Sequence, residues 1–228
     1  MNAPIYHRKL ERALDRQGGL FALPDILERI ADGRMQSWVE GNSWAVTQIS
    51  LYPRRRMLEI ACGTGYWTEV IAKRAIELVA LDLNEEVLEI ARTKPVPANR
   101  VTFVRGSAYD IPDFGRRHDA LFAGFWWSHV LLKDLDRFLA SAAKAVAPGA
   151  LLVFLDNRYV EGSSTPVSRR DADGNTYQAR KLDDGSSHEV LKNFPGEGEL
   201  IERASRHGSG ASVEMLPYYW LLSWRAHG

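Results

Sequence analysis

The run Leu58-Glu59-Ile60-Ala61-Cys62-Gly63-Thr64-Gly65 constrains this chain more than any other feature. It reads as a buried strand that makes a tight glycine turn and enters a helix over Tyr66 to Arg74. Gly63 and Gly65 let the backbone approach a ligand where a Cβ would collide, at the crevice where open α/β sheets bind nucleotides. The pattern continues in kind: short apolar strands at Leu78 to Asp82, Val101 to Arg105, Asp119 to Ala123 and Leu151 to Asp156 alternate with helical stretches at Glu85 to Arg92 and Leu135 to Ala147. Alternation of this type predicts a doubly wound, mostly parallel α/β sheet built from βαβ units. Pro148-Gly149 is expected to stop the last helix before the fifth strand.

The flanks of this core read differently. Over residues 1–50, Leu23, Ile26, Leu27 and Ile30 recur at helical spacing and are followed by Met35, Trp38, Val39 and Trp44, which predicts a helical cap. Residues 157–195 are polar and rich in Ser, Arg, Asp and Gly, and predict an inserted β-hairpin around Asp183-Asp184-Gly185. A two-residue turn would put Arg180 opposite Glu189, with Lys192 on the other face. A three-residue loop ending on a left-handed Gly185 pairs Arg180 with His188 and places Arg180, Leu182, Val190 and Lys192 on one face; the aspartates and glycine favour this form. A helix over 197–207 and strands over 211–216 and 219–225 then complete a seven-stranded sheet. The expectation is a single domain over 1–228: cap (1–50), core (55–156), hairpin (157–195) and closing elements (196–228).

Charge and cysteine content narrow the partners. Lys and Arg number 29 and so do Asp and Glu, so no net field recruits nucleic acid or an anionic membrane. Cys62 is the only cysteine, which excludes an internal disulfide, and no Cys/His cluster has zinc-site spacing. The start of the chain lacks an apolar signal core, and no apolar run reaches membrane-span length. A soluble, cytoplasmic monomer or weak homodimer with no metal is expected, acting on a small molecule rather than on nucleic acid or a membrane.

Asp82 ends the strand that follows the glycine turn, where a carboxylate can accept both hydroxyls of a ribose; alternatively it caps the next helix, with Asn84 nearby. With these residues the chain resembles the class I S-adenosylmethionine-dependent methyltransferases over roughly residues 55–226. The resemblance implies S-adenosylmethionine as cofactor, with Glu59, Ala61, Gly63 and Gly65 at its methionine end, Asp82 on the ribose and Leu83 on the adenine. After the third strand Ser107 and Ala108 stand where the family often has an acid for the adenine amino group, and Ile111 is expected to add apolar packing. Trp67, like Trp126 and Trp127, is more often packing than recognition, with a place at the pocket wall against the sulfonium as the alternative, and Gly124 and Phe125 follow strand four where the transferable methyl is expected. A nicotinamide oxidoreductase fingerprint would need a third glycine at the position of Thr68 and fails. A Tyr177/Lys181 pair lies in the hairpin, not on a helix. A module that holds the cofactor without chemistry stays open, and turnover discriminates it.

The acceptor is read from the region after strand four, Ala123-Gly124-Phe125-Trp126-Trp127-Ser128-His129. The Asn/Asp-Pro-Pro-aromatic pattern of base-amino methyltransferases is absent, which argues against nucleic acid. Gly-Thr-Gly-Tyr-Trp-Thr (63–68), Trp126, His129 and the late Arg180-x-Leu182-x-Asp184-Gly185 with Val190-x-Lys192 are similar to small bacterial O-methyltransferases, among them the phosphonate O-methyltransferase of dehydrophos biosynthesis. Two readings follow. Arg180 and Lys192 clamp an anionic phosphonate or carboxylate, which needs no strong base; otherwise they belong to a solvated hairpin paired with Asp183, Asp184 and Glu189. His129 either accepts the proton of a neutral hydroxyl or amine acceptor, or only shapes the pocket.

Overall fold

The computed structural model describes residues 55–115, 117–181 and 187–227. The cap expected over 1–50 and the hairpin tip at 182–186 lie outside the described residues. The core runs β1 (Arg56–Ile60), α1 (Tyr66–Ala72), β2 (Glu77–Asp82), α2 (Glu85–Ala91), β3 (Val101–Arg105), β4 (His118–Gly124), α3 (Leu135–Lys144) and β5 (Val146–Asn157). It continues through β6 (Arg169–Arg170), β7 (Thr176–Lys181), β8 (Ser187–Leu191), α4 (Glu197–Ser205), β9 (Gly208–Met215) and β10 (Tyr219–Ala226).

Seven strands form one sheet in the order β3-β2-β1-β4-β5-β10-β9. Strands β1 to β5 run parallel and β10 lies antiparallel between β5 and β9. The strand order reverses between β1 and β4, so their carboxyl ends part to leave the crevice typical of such sheets.

Period-two side-chain alternation feeds two cores. Leu58, Ile60, Leu121, Ala123, Leu152 and Phe154 enter one core with Phe138 and Leu139 of α3 and Leu200 and Ala204 of α4. Met57, Ala120, Phe122, Leu151 and Val153 enter the other, with Trp67 and Ile71 of α1. A sheet apolar on both faces must be covered on both, which is why the parallel strands read as continuous apolar runs.

Two details depart from expectation. Helix α3 ends at Lys144, and Pro148-Gly149 falls inside β5 rather than terminating the helix. Gly149 adopts φ 73°, and the β4–β5 ladder jumps from His118–Val146 to Ala120–Leu151, so the exposed Pro-Gly pair makes an irregularity in the strand's first half. The insert is a three-stranded sheet, β6-β7-β8, not a bare hairpin. Its extra strand is two exposed arginines paired with Thr176 and Tyr177, which carry no strand pattern in sequence.

The β7–β8 register pairs Arg180 with His188 and Gln178 with Val190. This is the register that the three-residue loop predicts, the loop itself lying outside the described residues. Arg180, Gln178, Thr176, Val190 and Lys192 therefore share one face, on which Thr176, Gln178 and Lys192 are buried.

Candidate cofactor and acceptor site

The turn after β1 is built around three left-handed residues. Ala61 (φ 53°) and Gly63 (φ 56°) bend the chain, and Gly65 (φ 83°) opens α1. A Cβ on Gly65 would stand 3.1 Å from the Ala91 Cβ, so this glycine permits α1 to approach α2, whereas a Cβ on Gly63 would meet nothing within 4 Å. The Asp82 carboxylate ties this turn to β2, Oδ2 accepting from Gly63 N (2.9 Å) and Oδ1 from Asn84 N (2.9 Å). The cap of α2 is Asn84, whose Oδ1 accepts from Glu86 N, so the alternative role for Asp82 falls away. Burial raises the Asp82 carboxyl, and the backbone N–H groups of Asn84, Gly63 and Leu83 oppose it. Beside it Leu83 is 57 % exposed, an apolar side chain without cover at the crevice rim.

Below the turn Glu59 is buried and accepts from Thr68 Oγ1 (2.6 Å). Burial lifts its carboxyl from 4.5 to about 8; the Thr68 hydrogen bond opposes the rise and the Asp82 charge adds to it. Ser107 uses its hydroxyl oxygen to accept from Tyr109 N (3.2 Å), and Ala108 is buried in the core. Gly124 ends β4 beneath the Trp67 indole: a Cβ there would lie 2.7 Å from Trp67 Nε1. Phe125 follows with φ 57°, its N–H donating to Leu155 O, and packs edge-on to Tyr219. Two non-glycine residues in left-handed conformation, Ala61 and Phe125, thus flank the crevice at the ends of β1 and β4, where stored strain marks sites.

Beyond β4 a short 3₁₀ turn, Trp127–His129, leads away from the sheet. Ser128 is buried, its N–H donating to Asp156 Oδ2 (2.9 Å) and its hydroxyl to Asp156 Oδ1 (3.0 Å). Lys192 sends Nζ to Ser128 Oγ (2.7 Å) and to Asp156 Oδ1 (3.1 Å), the two charged side chains being 7 % and 0 % exposed. Burial alone would raise the Asp156 carboxyl, but the Lys192 and His129 charges and the backbone N–H groups of Ser128 and Asn157 outweigh it and hold it low. Arg180, on the same face as Lys192, is oriented by Thr165 Oγ1 (2.8 Å) and Gln178 Oε1 (2.7 Å).

Comparison with known proteins decides what this crevice belongs to. Residues 57–149 match the family model described as Methyltransferase domain. Residues 57–149 therefore form a methyltransferase domain of the class I, S-adenosylmethionine-dependent type. The DhpI–SAH complex aligns over 87 % of this chain and 91 % of DhpI, at 27 % identity and a TM-score of 0.67. Curated relatives include the demethylmenaquinone methyltransferase of Lactiplantibacillus plantarum, 32 % identical over 49 % of this chain and 48 % of that protein. The ubiquinone biosynthesis O-methyltransferase of Mesorhizobium japonicum is 31 % identical over 42 % of this chain and 39 % of its own length. The chain spans about half the length of the curated relatives it matches.

S-adenosylmethionine is the cofactor of this domain. The residues present fit it: open space over Gly63, a half-buried carboxylate at Asp82, an uncovered Leu83, and a buried carboxyl at Glu59 suited to a cationic ligand. Among the expected cofactor residues, Gly63, Asp82 and Leu83 gather at the crevice. Trp67 takes the packing role of its two readings. At 3 % exposure it packs on Phe122 (5.1 Å between centroids) and Gly124, so it fills the core under the turn instead of lining the pocket. Lys192 is a correction, because Asp156 and Ser128 take up its ammonium and it is no open clamp.

Sequence reasoning missed Asp156 and Ser128. A signal existed, since Asp156 closes an otherwise continuous apolar run, Leu151 to Leu155, and an acid there has to find donors.

Asp82→Ala is expected to weaken S-adenosylmethionine binding by about 1–3 kcal/mol, the usual loss of a charged hydrogen-bond partner. Calorimetric titration checks it, and a variant that binds as tightly as the parent removes Asp82 from the site.

Proposed function

We propose that this chain transfers the S-adenosylmethionine methyl to a small-molecule acceptor, and that the acceptor atom is an oxygen of a small anion, a phosphonate or carboxylate. The observation that carries this reading is Arg180. It lies on the face of β7–β8 whose Lys192 and Asn193 end docks on Ser128 and Val130, the segment after β4 at the carboxyl end of the sheet. Its guanidinium is held by Thr165 and Gln178, so little freedom is lost when it meets an anion. The DhpI–SAM–HEP complex, alike over 87 % of this chain, supports the same class, DhpI being a phosphonate O-methyltransferase.

In this reading Asp82 and the Gly63 turn hold the cofactor, Ser107 and Leu83 meet its adenine, and Glu59 sits under the methionine end. The cofactor supplies an electrophilic methyl. Arg180 orients the acceptor anion toward it, and His129 borders the same space. Neutral overall charge and a single buried cysteine support a cytoplasmic enzyme working as a monomer or weak homodimer. No helix among the described residues is long and apolar enough to cross a membrane.

A second reading, a neutral hydroxyl or amine acceptor with His129 as base, is favoured by one observation: the Asp156 carboxylate feels the His129 charge and would stabilise an imidazolium. Turnover of labelled cofactor against a panel of small acids and phenols separates them. Arg180→Ala is expected to raise KM for an anionic acceptor by about tenfold or more, the weight of a charge-assisted contact, with kcat little changed. A rate flat above the acceptor's pKa belongs to the anion reading, whereas a rise through the histidine's titration, with KM indifferent to Arg180, belongs to the base reading.

A further inference from the structure

Three buried polar side chains on three different elements meet beside the turn that carries His129. Asp156 ends β5, Ser128 sits in the 3₁₀ turn after β4, and Lys192 directly follows β8. The carboxylate accepts four hydrogen bonds, from Ser128 N, Ser128 Oγ, Asn157 N (2.7 Å) and Lys192 Nζ. A seam continues from it: Asn193 N donates to Ser128 O (2.8 Å), Asn193 Nδ2 to Val130 O (2.9 Å), and Leu132 N to Asn175 Oδ1 (2.8 Å). Residues 128, 130 and 132 are thus all fixed to the insert or to β5, and His129 lies between two of them.

We propose that Asp156 is a positioning residue for the acceptor side, fixing the turn that carries His129 against the inserted sheet through Ser128 and Lys192 and setting the electrostatic environment of that imidazole. The geometry accounts for the choice of residues. A carboxylate can accept from a backbone N–H, a hydroxyl and an ammonium at once, which no neutral side chain can do. A lone buried acid would be costly, so the insert has to supply a cation, and Lys192 supplies it. The polar seam keeps the insert in one register on the turn, where an apolar seam would tolerate sliding. Charged residues on the elements that meet here include Asp156 on β5 and Lys192 after β8, both at Ser128, with Arg180 on β7 and Lys133 and Asp134 in the following 3₁₀ turn. The His129 charge is felt at Asp156, and that of Arg180 at Lys192.

This inference rests on the reading of His129 as an acceptor-side group, and its test needs no acceptor. In the full chain saturated with SAH, the His129 ring is titrated by NMR in the parent, in Asp156→Asn and in Lys192→Met. Removing the negative charge is expected to lower the His129 pKa and removing the positive one to raise it, each by about half to one pH unit. A pair that only staples the fold would weaken stability in both variants without displacing His129 in opposite directions, and that result, or two shifts of the same sign, overturns the proposal. Should the single variants fail to fold, the parent alone decides: titration of the His129 ring is expected to displace the Asp156 carboxyl and Lys192 ammonium resonances, and a His129 titration that neither group senses overturns it. Loss of SAH binding by the parent would instead sink the methyltransferase reading. An unperturbed His129 in protein that binds SAH sinks only the positioning role.

Discussion

Glu59→Gln is expected to remove a large part of the pH dependence of this protein's stability. The Glu59 carboxyl sits at about 8 in the folded, cofactor-free chain against an ordinary value of 4.5, raised by burial and by Asp82 against the pull of Thr68. Between those two values the folded state holds a proton that the unfolded chain has released, so stability falls as pH rises. The slope is about 1.4 kcal/mol per pH unit for one proton. The favourable contribution is complete below the unfolded value and is lost as pH climbs through the folded one, a total on the order of 5 kcal/mol. Denaturant unfolding at pH 5, 6, 7 and 8 checks it: the parent should lose stability relative to Glu59→Gln across the window, and parallel curves would show that Glu59 is ionised throughout. The same carboxyl should respond to a cation. If Glu59 underlies the methionine end, S-adenosylmethionine favours its ionised form, and binding near pH 7 releases up to one proton. Calorimetry in buffers of different ionisation enthalpy reads that proton directly.

The second large effect lies in the Lys192–Asp156 pair. Lys192→Met leaves a carboxylate with no compensating cation in a site that is 0 % exposed, a change expected to cost about 3–5 kcal/mol. The double variant Asp156→Asn, Lys192→Met removes both charges while the amide oxygen still accepts from Ser128 N. It should regain most of that loss. Denaturant titration of the four proteins closes a double-mutant cycle, and a coupling of about 2 kcal/mol or more is expected for groups in direct contact. Simple additivity would mean that the two side chains do not depend on one another, against the distances observed.

Much of this was legible along the chain because local rules govern it. The β1 strand, the glycine turn and α1 follow from Leu58 to Gly65, since a strand that feeds a helix must turn sharply and only residues tolerant of positive φ allow it. The parallel sheet follows from apolar runs separated by helical periods, and the hairpin register from the chemistry of Asp183-Asp184-Gly185, whose flanking pair Arg180–His188 is the one observed. Asp82 was legible by its place at a strand end.

Tertiary structure alone decided the rest. Nothing local tells Lys192 that its partner is 36 positions away on β5, or that Trp67 points under Gly124 into the core instead of toward the ligand. Both outcomes depend on which faces come together. A solvated cation and a buried one carry the same sequence signal, and desolvation, which separates their chemistry, exists only once the insert has docked. The left-handed Ala61 and Phe125 are likewise invisible in sequence, because neither residue favours positive φ and only the surrounding sheet holds them there. The sequence determined the scaffold and the glycine turn with its Asp82 tie through short-range backbone rules. The seam between the insert and the turn after β4 was decided by long-range burial of charge.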